Sequence, residues 1–142
     1  MEKVYLDSAA TTQMRPEVIT KITEVMQENY GNPSSTHSFG RSAKSLIERA
    51  RKTIAKQLNV TAAEIIFTSG GTEADNLALN SAVRDLGVRR IITSEIEHHA
   101  VLYCVNQLKD CFDIEVEYVK LTAEGEVDLE DLGNRLEHSD VK

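Results

Sequence analysis

The chain has 142 residues, of which 41% are hydrophobic and 27% charged, so it can bury one core and form a single globular unit rather than a disordered segment. Its net charge is -7, from 16 basic and 23 acidic residues, and it has no basic block of five or more residues, which argues against a nucleic-acid-binding surface. It shows no secretory signal and no apolar stretch as long as a membrane span, so we expect it in the cytoplasm.

The first half of the chain predicts two helices. Val4 to Leu6 gives a short extended entry, and Pro16 then opens a helix, because proline is favoured at the first helical position. A loop of turn-forming residues from Gly31 to Ser35 separates this helix from a second one. In both helices apolar residues recur on one face: Val18, Ile19, Ile22, Val25 and Met26 in the first, and Ala43, Ile47, Ala50, Ile54 and Leu58 in the second.

From Ile65 onward the sequence alternates between strand and helix patterns. Ile65 to Phe67 is a continuous apolar run, which favours a central strand covered on both faces, as in a mainly parallel sheet. The later elements are predicted as a helix from Thr72 to Leu86, a strand near Arg90 to Thr93, a helix from Glu97 to Asp110, a strand near Ile114 to Lys120 and a final helix from Asp128. This order predicts an α/β fold in which helices flank a mainly parallel sheet.

The two cysteines, Cys104 and Cys111, predict no disulfide framework. On one helix their offset would separate them by roughly 10 Å, which is beyond the usual Cα distance across a disulfide. We therefore expect both to be thiols of the core. His98, His99 and Cys104 match no common zinc-ligand spacing, so we expect no metal site.

The segment from Glu64 to Asn76 runs from an apolar stretch through two glycines into a helix. Adjacent glycines let an anion approach the main chain, and a helix start leaves N–H groups without internal partners. Two readings are open: a phosphate site to which Ser69 and Thr72 add hydroxyls, or a helix start that Thr72 merely caps, with Asp75 completing a near capping box. The turn has neither the P-loop nor the dinucleotide-binding glycine pattern, so a single phosphate on a smaller cofactor is the better match.

Four segments carry a more specific signal than the glycine turn alone. They read YLDSAATT at 5–12, GNPSSTH at 31–37, TSGGTEADN at 68–76 and IITSEIEHHAV at 91–101. In sequence, order and spacing they resemble the cysteine desulfurases of the NifS/IscS type, which are pyridoxal-phosphate enzymes of the class V aminotransferase group. The resemblance implies a partial fold type I transferase.

The resemblance also implies roles for three residues of the glycine turn and the last segment. In the family the glycine-threonine turn holds the cofactor phosphate, which implies that Gly71 and Thr72 bind it here. The family histidine that stacks on the pyridine ring and is associated with proton transfer corresponds to His98. The neighbouring His99 is expected to point elsewhere.

The first two segments are harder to interpret. Read by themselves, both are ordinary loops that lead into helices. In the family they lie near the active-site cavity, so the resemblance implies that Ala10, Thr11 and Asn32 line a substrate pocket.

Family members are much longer than this chain, and several of their functional parts have no counterpart in it. These are the lysine that binds the cofactor covalently, the aspartate that pairs with the pyridine nitrogen, the catalytic cysteine loop and the arginine that binds the substrate carboxylate. Residues 1–142 are therefore expected to be the N-terminal segment and opening part of the large cofactor-binding domain, forming a single unit that is inactive alone.

For the intact enzyme the resemblance implies conversion of L-cysteine to L-alanine with an enzyme persulfide as the second product. The sulfur would pass to an acceptor or scaffold protein for iron-sulfur cluster assembly, and the enzyme would be a homodimer. One alternative is a related selenocysteine lyase or another class V aminotransferase, because the residues that decide the substrate are missing from this chain. Another is a non-catalytic interaction module that retains the scaffold.

Overall fold

A computed structural model describes residues 3–137. The chain divides into two compact units, and the boundary falls between Ile66 and Phe67. The assignment of residues 1–142 to a single unit stays a prediction, because the compactness of two segments does not decide whether both belong to one domain of a longer protein. Within residues 3–137, no helix is both long and apolar enough to cross a membrane.

The first unit contains the two helices that the sequence predicts. Helix α1 spans Pro16–Glu28 with the proline in its first turn, and helix α2 spans Ser38–Leu58. Val4 to Leu6 does not belong to a strand, and Leu6 is 89% exposed. The regular structure of this unit is therefore helical.

Two glycines tighten the loop between α1 and α2. A Cβ on Gly31 would lie 2.5 Å from the main-chain oxygen of Phe39, and a Cβ on Gly40 would lie 2.6 Å from that of Asn32. His37 caps α2, because its Nδ1 accepts a hydrogen bond from the N–H of Gly40 over 3.4 Å. The loop is packed so closely that a side chain at either glycine would displace main-chain atoms.

The strand predicted at Ile65 to Phe67 is not formed. A short 3-10 turn, Ala62–Glu64, precedes this run, and Ile65 has extended backbone angles of φ -94° and ψ 117°. However, Ile66 is 66% exposed. A strand requires hydrogen bonds to a neighbouring strand, and within residues 3–137 no strand lies beside Ile65 and Ile66.

The second unit is an α/β arrangement in which a helix connects two parallel strands. Its elements are helix α3 (Gly71–Arg84), strand β1 (Arg90–Thr93), helix α4 (His99–Cys111), strand β2 (Glu115–Tyr118) and helix α5 (Leu129–Glu137). β1 and β2 pair in parallel, with Arg90 opposite Glu115. The predicted α/β class with a parallel sheet and flanking helices is confirmed.

The core of the second unit joins α3 and α4 to the strands. Val83 of α3 and Cys104 and Leu108 of α4 are each at most 2% exposed, and they cluster with Ile114 at the entry to β2. Burial raises the pKa of the Cys104 thiol, which keeps it protonated at neutral pH. The prediction of core thiols is right for Cys104 and wrong for Cys111, which is exposed because it lies beyond the last buried residue of α4.

Charged side chains join β1, β2 and α5. Glu117 of β2 accepts hydrogen bonds from Arg90 of β1 and, over 2.6 Å, from Arg135 of α5. Asp131 accepts a 2.6 Å hydrogen bond from Arg135 and a 3.0 Å hydrogen bond from the Lys120 N–H. These two donors lower the pKa of Asp131 to about 2, and Arg90 leads the groups that hold the pKa of Glu117 below its usual range. The network fastens α5 to the sheet.

Candidate functional site

The glycine turn leads directly into α3. Gly70 is the N-cap residue, and Gly71 and Thr72 are the first two residues of the helix. The first helical hydrogen bond is donated by Ala74 to the oxygen of Gly70 over 3.1 Å. The N–H groups of Gly71, Thr72 and Glu73 therefore precede the helical ladder and have no helical acceptor. The reading in which Thr72 caps the helix is wrong, because Thr72 already lies inside it.

An interaction between Ser69 and Glu73 shapes this turn. The carboxylate of Glu73 accepts hydrogen bonds from the hydroxyl and the N–H of Ser69, each over 2.6 Å. These bonds hold the pKa of the Glu73 carboxyl below its usual range. The hydroxyl of Ser69, which the sequence offers as a phosphate donor, is therefore already engaged. The two residues are four apart across the helix start, a spacing that could have indicated this contact.

Open space faces the two glycines. Among residues 3–137, a Cβ added to Gly70 or Gly71 would meet no atom within 4 Å, so packing within this part of the chain requires neither glycine. The turn thus offers N–H groups at the positive end of the α3 dipole together with the exposed hydroxyl of Thr72. This set of donors suits a phosphate group.

His98 lies at the start of α4 as its N-cap residue. Its Nδ1 accepts a hydrogen bond from the N–H of Ala100 over 3.1 Å, and the residue is exposed. Since Nδ1 accepts, the hydrogen bond assigns the proton of a neutral ring to Nε2. His98 can therefore present an N–H, and a planar exposed ring, to a bound group.

The ring of His99 stacks on that of Tyr103, one turn later in α4. Their ring centroids lie 5.3 Å apart with an interplanar angle of 13°. The rings of His98 and His99 are 6.1 Å apart and inclined at 52°. The exposed Tyr103 thus holds the ring of His99 along the helix, and the place of His99 outside the site stays a prediction.

The side chain of Asn76 connects the glycine turn to the start of α4. Its Nδ2 donates to the main-chain oxygen of Thr72 over 2.8 Å and to that of Ala100 over 3.3 Å. Ala100 in turn donates its N–H to His98. The structure therefore links Thr72 and His98, two predicted site residues, through one half-buried amide.

The predicted pocket residues Ala10, Thr11 and Asn32 belong to the first unit and are exposed. The N–H groups of Ala10 and Thr11 both donate to the oxygen of Asp7, over 3.1 and 3.3 Å. The side-chain oxygen of Asn32 accepts the N–H of Ser34 over 2.9 Å. These contacts build local turns, and a role in a pocket stays a prediction.

A cavity of about 320 Å³ lies between α3, β1 and α4. Leu79, Ile91 and Val105 give it an apolar wall, and Asp75 and Glu97 add carboxylates. None of the predicted site residues is among those that line it. Residues 3–137 contain no group of three His, Cys, Asp or Glu side chains that could hold a metal ion.

The chain matches known proteins along most of its length. Residues 4–141 match the family model described as aminotransferase class-V. A relative from Dictyoglomus turgidum described as cysteine desulfurase IscS is 45% identical over 136 residues, which cover 94% of this chain and 34% of that relative. A selenocysteine lyase from Xenopus laevis is 41% identical, with coverage of 92% and 34%.

A solved structure titled NIFS-like protein superposes with a TM-score of 0.79 at 38% identity. The match covers 88% of this chain and 35% of that one. The chain thus spans about a third of the length of the relatives that it matches.

Proposed function

The chain belongs to the aminotransferase class-V family, and we propose that it supplies the phosphate-binding turn and the ring-stacking histidine of a pyridoxal-phosphate-dependent cysteine desulfurase. The observation that carries the proposal is the pairing of two helix starts. The first-turn amides of α3, which precede its helical hydrogen bonds, and the exposed imidazole at α4 lie on elements that Asn76 joins by hydrogen bonds. Relatives named cysteine desulfurase support this choice of reaction within the family.

The residues present fit the cofactor. The N–H groups of Gly71 and Thr72 and the Thr72 hydroxyl would hold the phosphate, and the ring of His98 would lie against the pyridine. The turn supplies neutral donors and a helix dipole, and the nearby carboxylate of Glu73 is held by Ser69. The chemistry that the cofactor supplies when bound is electron withdrawal from the substrate.

His98 has the proton-transfer role in this proposal. In the neutral ring Nδ1 accepts the N–H of Ala100 and Nε2 carries the proton, so Nε2 can donate a hydrogen bond to a bound group. To take a proton at Nε2, the ring would change tautomer and release the N–H of Ala100. The same contact fixes the plane of the ring. The N-cap position thus orients the group that would act in catalysis.

For the complete protein we propose conversion of L-cysteine to L-alanine. A cysteine thiolate attacks the substrate sulfur, and the bond between that sulfur and the substrate carbon breaks. This cysteine is not among the site residues named above. The sulfur stays on that cysteine as a persulfide, and a proton replaces it on the carbon that becomes the alanine methyl. Transfer to an acceptor protein for iron-sulfur clusters, a homodimeric state and a cytoplasmic location complete the proposal.

The experiment measures alanine formed from L-cysteine by the complete protein loaded with pyridoxal phosphate. Thr72→Val should weaken cofactor binding about tenfold, because it removes a hydrogen bond to a charged group. Thr53→Val is the matched control, since its hydroxyl donates to the main-chain oxygen of Arg49 on α2, away from the glycine turn in the sequence. His98→Gln should lower turnover by about 10²- to 10⁴-fold. Wild-type protein that binds the cofactor but forms no alanine from cysteine would overturn the proposal and favour a non-catalytic scaffold.

A selenocysteine lyase is the second candidate, and the Xenopus laevis relative favours it. The two substrates differ only in the chalcogen atom, so the same phosphate turn and histidine would serve both. Competition between L-cysteine and L-selenocysteine separates the candidates. A large preference of kcat/KM for the selenium compound would replace the desulfurase assignment.

A further inference from the structure

The side chain of Asn76 makes two hydrogen bonds that together connect the first turns of α3 and α4. From its Nδ2 it reaches the oxygen of Thr72, in the first turn of its own helix, and the oxygen of Ala100, in the first turn of α4. A bond to the preceding turn of the same helix needs no particular partner helix. The hydrogen bond to Ala100 requires α4 as the partner, because it forms only when the starts of the two helices are in register.

Ala100 is held from both of its main-chain groups. Its oxygen accepts from Asn76, and its N–H donates to Nδ1 of His98 over 3.1 Å. The residue is 7% exposed, so water cannot readily replace either partner. The position of Ala100 therefore determines where the His98 ring lies and which of its nitrogens accepts.

We propose that Asn76 is a positioning residue that couples the phosphate turn to the orientation and tautomer of His98, an inference that rests on the proposed function. Asn76 fixes the oxygen of Thr72 on one side and the first turn of α4 on the other. It thereby sets the spacing between the phosphate-holding amides and the ring that lies against the pyridine. Without it, each helix start keeps its own geometry and loses its register with the other.

Asn80 provides an internal control one turn further along α3. Its Nδ2 also donates twice, to the oxygen of Asn76 over 2.9 Å and to the sulfur of Cys104 over 3.4 Å. It joins the same two helices with the same kind of side chain. Its α4 partner lies a turn away from the residue that holds His98, so its loss should leave the ring unaffected.

Two substitutions separate the bonds of Asn76. Asn76→Ala removes both. Asn76→Ser keeps the bond to Thr72, because a serine hydroxyl in a helix can reach the oxygen four residues earlier, as Thr20 and Thr23 do here. It cannot reach Ala100. If the coupling is real, Asn76→Ser should resemble Asn76→Ala, and if only the local bond matters it should resemble the wild type.

The test is made on the complete protein without cofactor, labelled with ¹⁵N-histidine. The His98 signal is assigned by its absence in His98→Gln. In the wild type and Asn80→Ala, the Nδ1 shift should be that of an unprotonated acceptor. In Asn76→Ala and Asn76→Ser it should move toward a mixture of the two tautomers, and the dissociation constant for pyridoxal phosphate should rise by about three- to tenfold.

An unchanged His98 signal in both Asn76 variants, or an equal change in Asn80→Ala, would overturn the proposal. The ¹⁵N measurement needs no catalysis, so it remains decisive if the protein proves not to be a desulfurase. Conversely, the wild type could form alanine while the His98 signal is the same in the wild type and in both Asn76 variants. That result would leave the proposed function standing and remove only the positioning role. If Asn76→Ala does not fold, Asn76→Ser carries the test.

Discussion

Glu73 accepts both the hydroxyl and the N–H of Ser69, each over 2.6 Å, and so closes the turn that precedes α3. The carboxylate is thus directed back to Ser69 by two charge-assisted hydrogen bonds. It is also a negative charge beside a turn that we propose to bind phosphate. These two effects oppose each other, and their balance can be measured.

We expect Glu73→Ala to weaken binding of pyridoxal phosphate by the complete protein. The variant loses the hydrogen bonds that order Ser69, and it also loses the repulsion between the Glu73 carboxylate and the cofactor phosphate. We expect the first effect to be larger, because salt screens the exposed charge, whereas phosphate binding needs an ordered turn at any salt concentration. Titration with the cofactor at low and high ionic strength measures the balance. Glu17→Ala, which changes a first-turn glutamate of α1, is the control. Tighter binding by the Glu73 variant at low salt would show that repulsion dominates.

The fall in the free energy of unfolding at acid pH should depend on Asp131. Its pKa is lowered from 3.8 to about 2 by Arg135 and the Lys120 N–H. A lowered pKa in the folded state means that the stabilisation is complete above the ordinary value and is lost as the pH falls from about 4 through about 2. Asp131→Asn should therefore be less stable than the wild type at neutral pH, and the gap should narrow across this window. Urea unfolding as a function of pH measures it, with the exposed Glu124→Gln as a control that should show no such gap.

Alanine substitutions at two helical glycines should have opposite effects. At Gly40 the new Cβ would lie 2.6 Å from the oxygen of Asn32, so we expect a loss of about 1–3 kcal/mol in the free energy of unfolding. At Gly133, in α5, it would meet no atom of the described residues within 4 Å, so we expect a gain of about 0.5–1 kcal/mol. Chemical denaturation of the two variants measures both values. A stable Gly40→Ala protein would mean that the loop between α1 and α2 can relax.

The core of the second unit should be sensitive to truncation at Leu108. This residue is 2% exposed and belongs to the cluster between α3, α4 and β2. Leu108→Ala should cost about 2–5 kcal/mol, because it removes buried contacts and leaves a cavity. Leu86→Ala, at a leucine that is 69% exposed, should cost less than about 0.5 kcal/mol. Equal losses from both would contradict the burial described here.

Local sequence signals predicted the helices and the two paired strands well. Pro16 marks the start of α1, and the glycine pair marks the start of α3 within one residue. These signals succeed because the preference of proline for the first helical turn and the amphipathic spacing are properties of short segments. The apolar run at Ile65 to Phe67 misled for the complementary reason. Strand formation depends on a neighbouring strand, which the local pattern cannot specify.

The candidate site was only partly predictable. The amides at Gly71 and Thr72 follow from the glycine turn, and the proposed role of His98 comes from the family resemblance. The contacts that position these residues could not be predicted from the sequence, because the hydrogen bond from Asn76 to Ala100 spans 24 residues and depends on how two helices pack. Asn76 could be singled out four residues after Thr72, yet its second partner could not. The N-cap role of His98 was likewise not expected, since histidine is not among the favoured capping residues.

The separation of 24 residues between Asn76 and Ala100 bears on the order of folding, because many contacts in a folded chain join residues farther apart than this. Contacts between nearby residues close with little loss of chain entropy and tend to form early. The two helix starts can therefore pair before contacts form between residues that lie farther apart in the sequence. The proposed phosphate turn and His98 would then come together early in folding.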